Sequence, residues 1–145
     1  HYPLRRQRQM CIRDSLWVDP TPASRPRVSR KGFAYYGKTY ERYRREAKAA
    51  LGAVKKPKGC PLPGPLKVKI AFYCRSPKKP SNTWPIGDID NHIKSILDSL
   101  NGWAWEDDVQ IMWIEASKQY SANPRIEIEW EEYREQPQRI GVSTA

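Results

Sequence analysis

From Lys38 to Val54, the residues Tyr40, Tyr43, Ala47, Ala50 and Leu51 recur at three- and four-residue steps, and Arg42, Arg44, Arg45 and Lys48 fill much of the remainder. That spacing predicts a helix with one apolar stripe and a cationic outer face. Leu66 to Cys74 (LKVKIAFYC) alternates apolar and basic residues and then turns continuously apolar, which predicts a strand. A second helical period runs from Asp88 to Leu100, with Ile89, Ile93, Ile96, Leu97 and Leu100 as its apolar face and Gly102 as its stop. Val109–Ser117 and Arg125–Glu131 read as two further strands joined through Asn123-Pro124, and Leu16-Trp17-Val18 as a short first strand. Between these lie three Pro-rich or polar connections: Pro20–Pro26, Lys55–Pro65 and Arg75–Pro85. Gly32 and Gly37 bracket a turn around Tyr35-Tyr36. The order β-α-β-α-β-β predicts a single α+β domain with a mixed sheet and helices packed on it.

The chain's 145 residues suffice for one core but not two. Six Trp and eight Tyr exclude a chain disordered by composition. No apolar run approaches the ~18 residues of a membrane helix. The basic start has no apolar stretch of the signal-peptide kind. Three Cys without a CxxC spacing and only two His leave no zinc pattern, and an odd thiol count points to a reducing, cytoplasmic setting. The opening HYPLRRQRQMCIRDS has no periodicity and resembles translated sequencing-adapter sequence, most of all at RQMCIRDS. Residues 1–14 are therefore expected to be non-native or disordered, with a basic nucleic-acid-binding arm as the alternative. The domain is expected over 15–133, followed by a tail over 134–145.

Charge divides the domain. Residues 25–58 hold twelve Lys or Arg against Glu41 and Glu46, whereas residues 88–115 hold seven acids against Lys94. A basic half attracts a polyanion. An acidic cluster would repel the same polyanion unless a cation intervenes, and a divalent metal is the simplest reconciliation. Asp88 and Asp90 stand where a loop enters a helix, and Asp107-Asp108 where a turn enters a strand. If helix and strand are neighbours, their carboxylate oxygens suit Mg²⁺ or Mn²⁺. Lys94, one turn beyond Asp90, adds a positive charge for a phosphate or leaving group. Each residue also has an ordinary reading: Asp88 as an N-cap, Lys94 in i, i+4 pairs with Asp90 and Asp98, and Asp107-Asp108 as turn residues. An EF-hand is excluded, because His92 and Ile93 occupy the positions where the loop needs an oxygen ligand and glycine. His92 reads as a surface or packing residue.

The stretch GDIDNHIKSILDSLNGWAWEDDVQI resembles the signature of RusA-type Holliday-junction resolvases, and PASRPRV with the Tyr-rich basic first helix resembles their phage-type members. The likeness spans roughly Leu16 to Trp130. It implies a metal-dependent endodeoxyribonuclease of bacterial or phage-infected cells that works on the nucleoid as a homodimer. Such an enzyme resolves four-way junctions in recombination and repair by paired symmetric nicks. By this likeness Asp88, Asp90 and Asp108 would hold Mg²⁺ (or Mn²⁺) and act with Lys94 as the catalytic set, supported by Asn91, Asp98, Asn101, Asp107 and Gln110. The expected chemistry is in-line attack of water on phosphorus, leaving 5′-phosphate and 3′-hydroxyl ends. Arg25, Arg27, Arg30, Lys31, Arg42 and Arg45 are the DNA-binding candidates. Trp84, Trp103, Trp105 and Trp113 are candidates for a dimer interface, for the core or for base stacking. Two other readings stand beside this one: a less selective nuclease on branched DNA, and a catalytically silent DNA-binding module.

Overall fold

The computed structural model describes residues 11–79 and 83–134. Its four-stranded sheet has the order β1-β6-β4-β5, built from β1 (Ile12–Leu16), β4 (Leu66–Arg75), β5 (Ile111–Ser121) and β6 (Arg125–Glu132). β6 runs antiparallel to both β1 and β4, while β4 and β5 are parallel, so the sheet is mixed as expected. Two helices, α1 (Lys38–Ala53) and α2 (Ile89–Leu100), stand between the strands in sequence. A separate two-stranded ribbon joins β2 (Arg27–Val28) to β3 (Ala34–Tyr35) where only a turn was expected.

β4 is the spine of the core. Leu66, Val68, Ile70, Phe72 and Cys74 are all buried, and the residues between them face the other side of the sheet. Ile126, Ile128 and Trp130 of β6 extend this inner face, which is covered by Tyr40, Tyr43, Ala47 and Leu51 of α1 and by Ile96 and Leu100 of α2. Burying each large side chain is worth about 1.5–3 kcal/mol. Removing Phe72 alone would cost about 3–5 kcal/mol. The opposite face carries the ion pairs Lys69–Glu115 (3.9 Å) and Arg13–Glu129 (3.1 Å).

Other expectations change or are narrowed. The first strand lies at Ile12–Leu16 rather than Leu16–Val18, and Ile12, Arg13 and Asp14 pair with Trp130, Glu129 and Ile128 of β6. The sheet therefore begins inside the stretch read as an extension; an edge strand is held by backbone hydrogen bonds, and Asp14 between Ile12 and Leu16 masks the alternation. Residues 1–10, and the tail beyond Arg134, lie outside the described residues. In α2 the buried face is rotated: Ile89 is exposed, while His92 and Ser95 are buried. Ser95 Oγ donates to the His92 carbonyl at 2.9 Å and Ser99 Oγ to the Ser95 carbonyl at 3.2 Å, so these polar side chains are satisfied within the helix itself. Among the four Trp candidates, Trp105 is fully buried and Trp103 leans on Trp130 at 6.2 Å, while Trp84 and Trp113 remain exposed.

Candidate active site

α2 carries one acidic group at each end. At its start Asp88 occupies the N-cap position with extended backbone, yet its carboxylate makes no capping hydrogen bond. The N-cap reading of Asp88 holds for its position, but its carboxylate is exposed and makes no capping hydrogen bond. Asp90 Oδ1 accepts from the Asn91 N–H at 3.0 Å. Lys94 is exposed and forms no ion pair with Asp90 or Asp98, so the i, i+4 reading gives way.

At the other end of α2, Asp98, Asn101, Asp107 and Asp108 form a second group. Burial comes first in pushing the Asp108 carboxyl above its ordinary range, followed by the hydrogen bond and charge of Asp107 and the charge of Asp98; a hydrogen bond from Asn101 works against them. Asn101 is itself oriented by the Trp105 indole, whose N–H donates to its Oδ1 at 2.8 Å. Gln110 braces the turn. Its Oε1 accepts from the Asp107 N–H at 2.9 Å, and its amide donates to the carbonyls of Leu62 (2.9 Å) and Gly64 (2.8 Å) in the Pro-rich connection.

Asp88 and Asp98 are separated by about 15 Å along the helix axis at the usual rise per residue. Asp88 and Asp90 are not among the groups that act on Asp108. Among the described residues, no three His, Cys, Asp or Glu side chains approach closely enough to hold one metal ion. Among the described residues Asp88 and Asp90 thus stand at one end of α2, and Asp108 stands with Asp98 at the other.

The loop that delivers Asp88 is clamped by residues the motif reading missed. Four successive carbonyls accept hydrogen bonds from side chains of neighbouring elements. Tyr120 Oη donates to Trp84 at 2.8 Å, Lys118 Nζ to Pro85 (2.9 Å) and Gly87 (2.5 Å), and His92 Nε2 to Ile86 at 3.1 Å. Gly87 has φ +96°, and a Cβ there would lie 2.7 Å from Pro22 Cγ and 3.1 Å from His92 Nε2. The only trace of this clamp in the sequence is the basic and aromatic pair Lys118 and Tyr120 at alternate positions of β5.

Lys118 is thus a positioning residue for the Asp88 end. If the acidic motif cuts four-way junctions, as its likeness implies, Lys118→Met is expected to slow single-turnover cleavage roughly 10²-fold, the penalty of a small misplacement of reacting groups. Junction affinity should stay within about twofold, because few phosphate contacts are lost, and Lys118→Arg should recover part of the rate. Equal losses in rate and affinity would contradict this assignment.

His92 adds a pH dependence. Burial first, then the charge of Lys118, lowers its pKa, opposed by the Ile86 hydrogen bond and by Asp19. With Nε2–H donating to Ile86, protonation would fall on Nδ1, which is buried without a partner. The unfolded imidazole takes up its proton below about pH 6.5, while the folded ring stays neutral to lower pH. Stability should therefore fall as pH drops below that point, by at most about 1.4 kcal/mol per pH unit from this group. Urea midpoints between pH 7.5 and 5.5 check it: His92→Gln should flatten the slope, whatever its absolute stability.

The basic candidates occupy two places. Arg25, Arg27, Arg30 and Lys31 lie on and beside the β2–β3 ribbon; Arg42 and Arg45 lie on the outer face of α1. All six are exposed and form no ion pair among the described residues. Arg44, by contrast, is engaged by Glu41 at 3.3 Å and lies 5.0 Å above the Tyr36 ring. A groove of about 680 Å³ runs between α1 and the end of α2, with Arg45 and Lys48 on one wall and Asp98 and Asn101 on the other. A phosphate chain lying on the cationic wall would pass beside the Asp98–Asp108 group.

The family model for endodeoxyribonuclease RusA matches residues 18–131. The chain belongs to the RusA endodeoxyribonuclease family. That family acts on Holliday junctions, so this chain is placed among the nucleases of DNA recombination. The chain is also 28% identical over 140 aligned residues to the uncharacterized protein YqaN of Bacillus subtilis (strain 168), a match covering 81% of this chain and 94% of the relative. No helix among the described residues is long and apolar enough to cross a membrane.

Proposed function

We propose that this protein resolves four-way DNA junctions by paired symmetric nicks, as a two-fold homodimer that requires Mg²⁺ or Mn²⁺. The observation that carries the reading is that the Asp88 carboxylate makes no capping hydrogen bond, Lys94 forms no ion pair among the described residues, and Asp108 is pushed above its ordinary pKa by burial first and then by neighbouring acids. Ionisable groups kept free or under mutual repulsion beside a cationic surface mark sites built for a ligand rather than for the fold. In this reading Asp88, Asp90 and Asp108 hold the cation. When bound, it neutralises charge on the scissile phosphate and lowers the pKa of a water. The chain's own part is to hold the carboxylates, to bring Lys94 to the phosphate, and to seat the DNA on the basic face. The products would be 5′-phosphate and 3′-hydroxyl ends.

The homodimer answers the split of the acids. β5 is an edge strand, and Val109, Met112, Trp113 and Ile114 are exposed directly after Asp108. Natural proteins seldom leave a long apolar edge uncovered. A two-fold contact along this edge would cover it and bring Asp108 of the partner subunit towards Asp88 and Asp90. Two sites related by symmetry then match the two scissile strands of the substrate. Its setting would be the cytoplasm, in keeping with three free thiols.

The test is a nicking assay on a synthetic four-way junction beside a linear duplex of the same sequence, with Mg²⁺ and with EDTA. Symmetric Mg²⁺-dependent nicks in the junction alone are expected. Comparable cutting of both substrates would point to a general nuclease, and junction binding without any cutting to a silent binding module.

A further inference from the structure

The β2–β3 ribbon stands apart from the rest of the fold. Every residue from Ser24 to Tyr35 is exposed except Ser29, so neither face of the ribbon is covered. A two-stranded ribbon is marginal on its own in water. This one is stiffened at its tip. The Ser29 N–H donates to the Phe33 carbonyl at 2.8 Å, the Phe33 N–H to Ser29 Oγ at 3.0 Å and the Gly32 N–H to the Ser29 carbonyl at 2.9 Å. Gly32 supplies the positive φ of +86° that closes the turn. The closed turn holds Arg30 and Lys31 at the outermost point of the arm.

The surface of the ribbon combines two properties. Arg25, Arg27, Arg30 and Lys31 are unpaired among the described residues, and no acid occurs between Asp19 and Glu41. Val28, Phe33 and Tyr35 are 72%, 70% and 48% exposed. Arg27 pairs across the ribbon with Tyr35, and Val28 with Ala34, so each face carries an apolar side chain beside the cations. Large apolar groups on a free cationic arm are costly to leave in water, and the charge excludes a second copy of the same ribbon as their cover.

We infer that the ribbon is a DNA-reading arm, seated in the major groove of one duplex arm of the substrate; this rests on the proposed junction-resolving function. The major groove is wide enough to admit a two-stranded ribbon. Arg and Lys side chains meet phosphates along its walls, and apolar side chains meet thymine methyl groups on its floor. Phe33 and Tyr35, two residues apart and so on one face of the ribbon, supply that apolar contact. The arm lies outside the acidic motif, so it contributes placement on the DNA and a preference for the sequence beside the cut.

Full-length protein and four-way junctions with thymine or uracil in the arms test the arm, with affinity measured by fluorescence anisotropy in EDTA over a salt series. Arg27→Ala/Arg30→Ala/Lys31→Ala is expected to weaken binding at least tenfold and to lower the slope of log K against log[salt] by about 2.7, at about 0.9 per phosphate contact. Phe33→Ser should weaken binding with the slope unchanged, and should shrink the thymine-over-uracil preference of the wild type. Thermal midpoints should not move, since the substituted side chains are exposed. Wild-type affinity in both variants overturns the arm. Loss of binding without any thymine preference in the wild type overturns its seat in the major groove. A changed oligomeric mass or lower thermal midpoint for Phe33→Ser makes the ribbon a protein contact, which also overturns it. The two readings fail separately: a wild type that binds through the arm but cuts no junction refutes the resolvase function, while a cutting wild type with indifferent ribbon variants refutes only the arm.

Discussion

Asp90→Asn is expected to abolish junction cleavage, by roughly 10³-fold or more, while leaving junction binding intact or tightened. The substitution keeps the size of the side chain and removes one negative charge. Asp90 is exposed at the first turn of α2, and its one hydrogen bond is local, to the next residue's N–H. Asparagine can accept that same bond, so folding should be unaffected. A lost carboxylate ligand forfeits several kcal/mol of charge stabilisation at phosphorus, and each 1.4 kcal/mol is tenfold in rate. Binding gains if it changes at all, because a carboxylate facing phosphates repels them. Rate constants under single-turnover conditions and dissociation constants in EDTA separate the two effects. Normal cutting by this variant with Mg²⁺ present would remove Asp90 from the site.

Much of the framework that carries the candidate residues was legible because its signals are short in range. The spacing from Asp88 through Lys94 to Asp98 places residues on one helix, and that helix exists from Ile89 to Leu100. The apolar steps of α1 and the alternation of β4 and β6 likewise reported burial directly: Tyr40, Tyr43, Ala47 and Leu51 are buried, as is every second residue of β4. What was not legible depends on pairing across the chain. Nothing local distinguishes Ile12–Leu16 from a loop, since β1 is defined by its register with β6. The ribbon is equally silent, because two strands of two residues carry no period. His92 was ambiguous because its burial follows from the carbonyl of Ile86 and the ring of Phe72 at 5.3 Å, both outside its helix. The clamp through Lys118 is a contact 31 residues away in sequence. The separation of Asp88 and Asp90 from Asp108 is of the same kind: the motif puts them in one stretch, and only the length of α2 shows that one chain holds them apart.

That separation leads to the second large effect. If each site takes Asp88 and Asp90 from one subunit and Asp108 from its partner, mixing two inactive proteins should restore activity. In a heterodimer of Asp90→Asn with Asp108→Asn, one composite site carries both substitutions and the other carries none. Random exchange gives half heterodimers, so about a quarter of the wild-type sites should return in a two-fold assembly. The intact site cuts one strand only. On a supercoiled plasmid with an extruded cruciform, the mixture should thus yield nicked circles and almost no linear product, whereas the wild type yields linear product from paired cuts. Sites contained within single chains predict the opposite. Each heterodimer site would then lack either Asp90 or Asp108, and the mixture would remain as inactive as its components. Exposed Val109, Met112, Trp113 and Ile114 make the exchange itself controllable: a charged residue at Met112, on the open edge of β5, should suppress both association and complementation. Complementation that persists in a protein shown by sedimentation equilibrium to be monomeric would exclude the shared site and, with it, the pairing of cuts by two-fold symmetry.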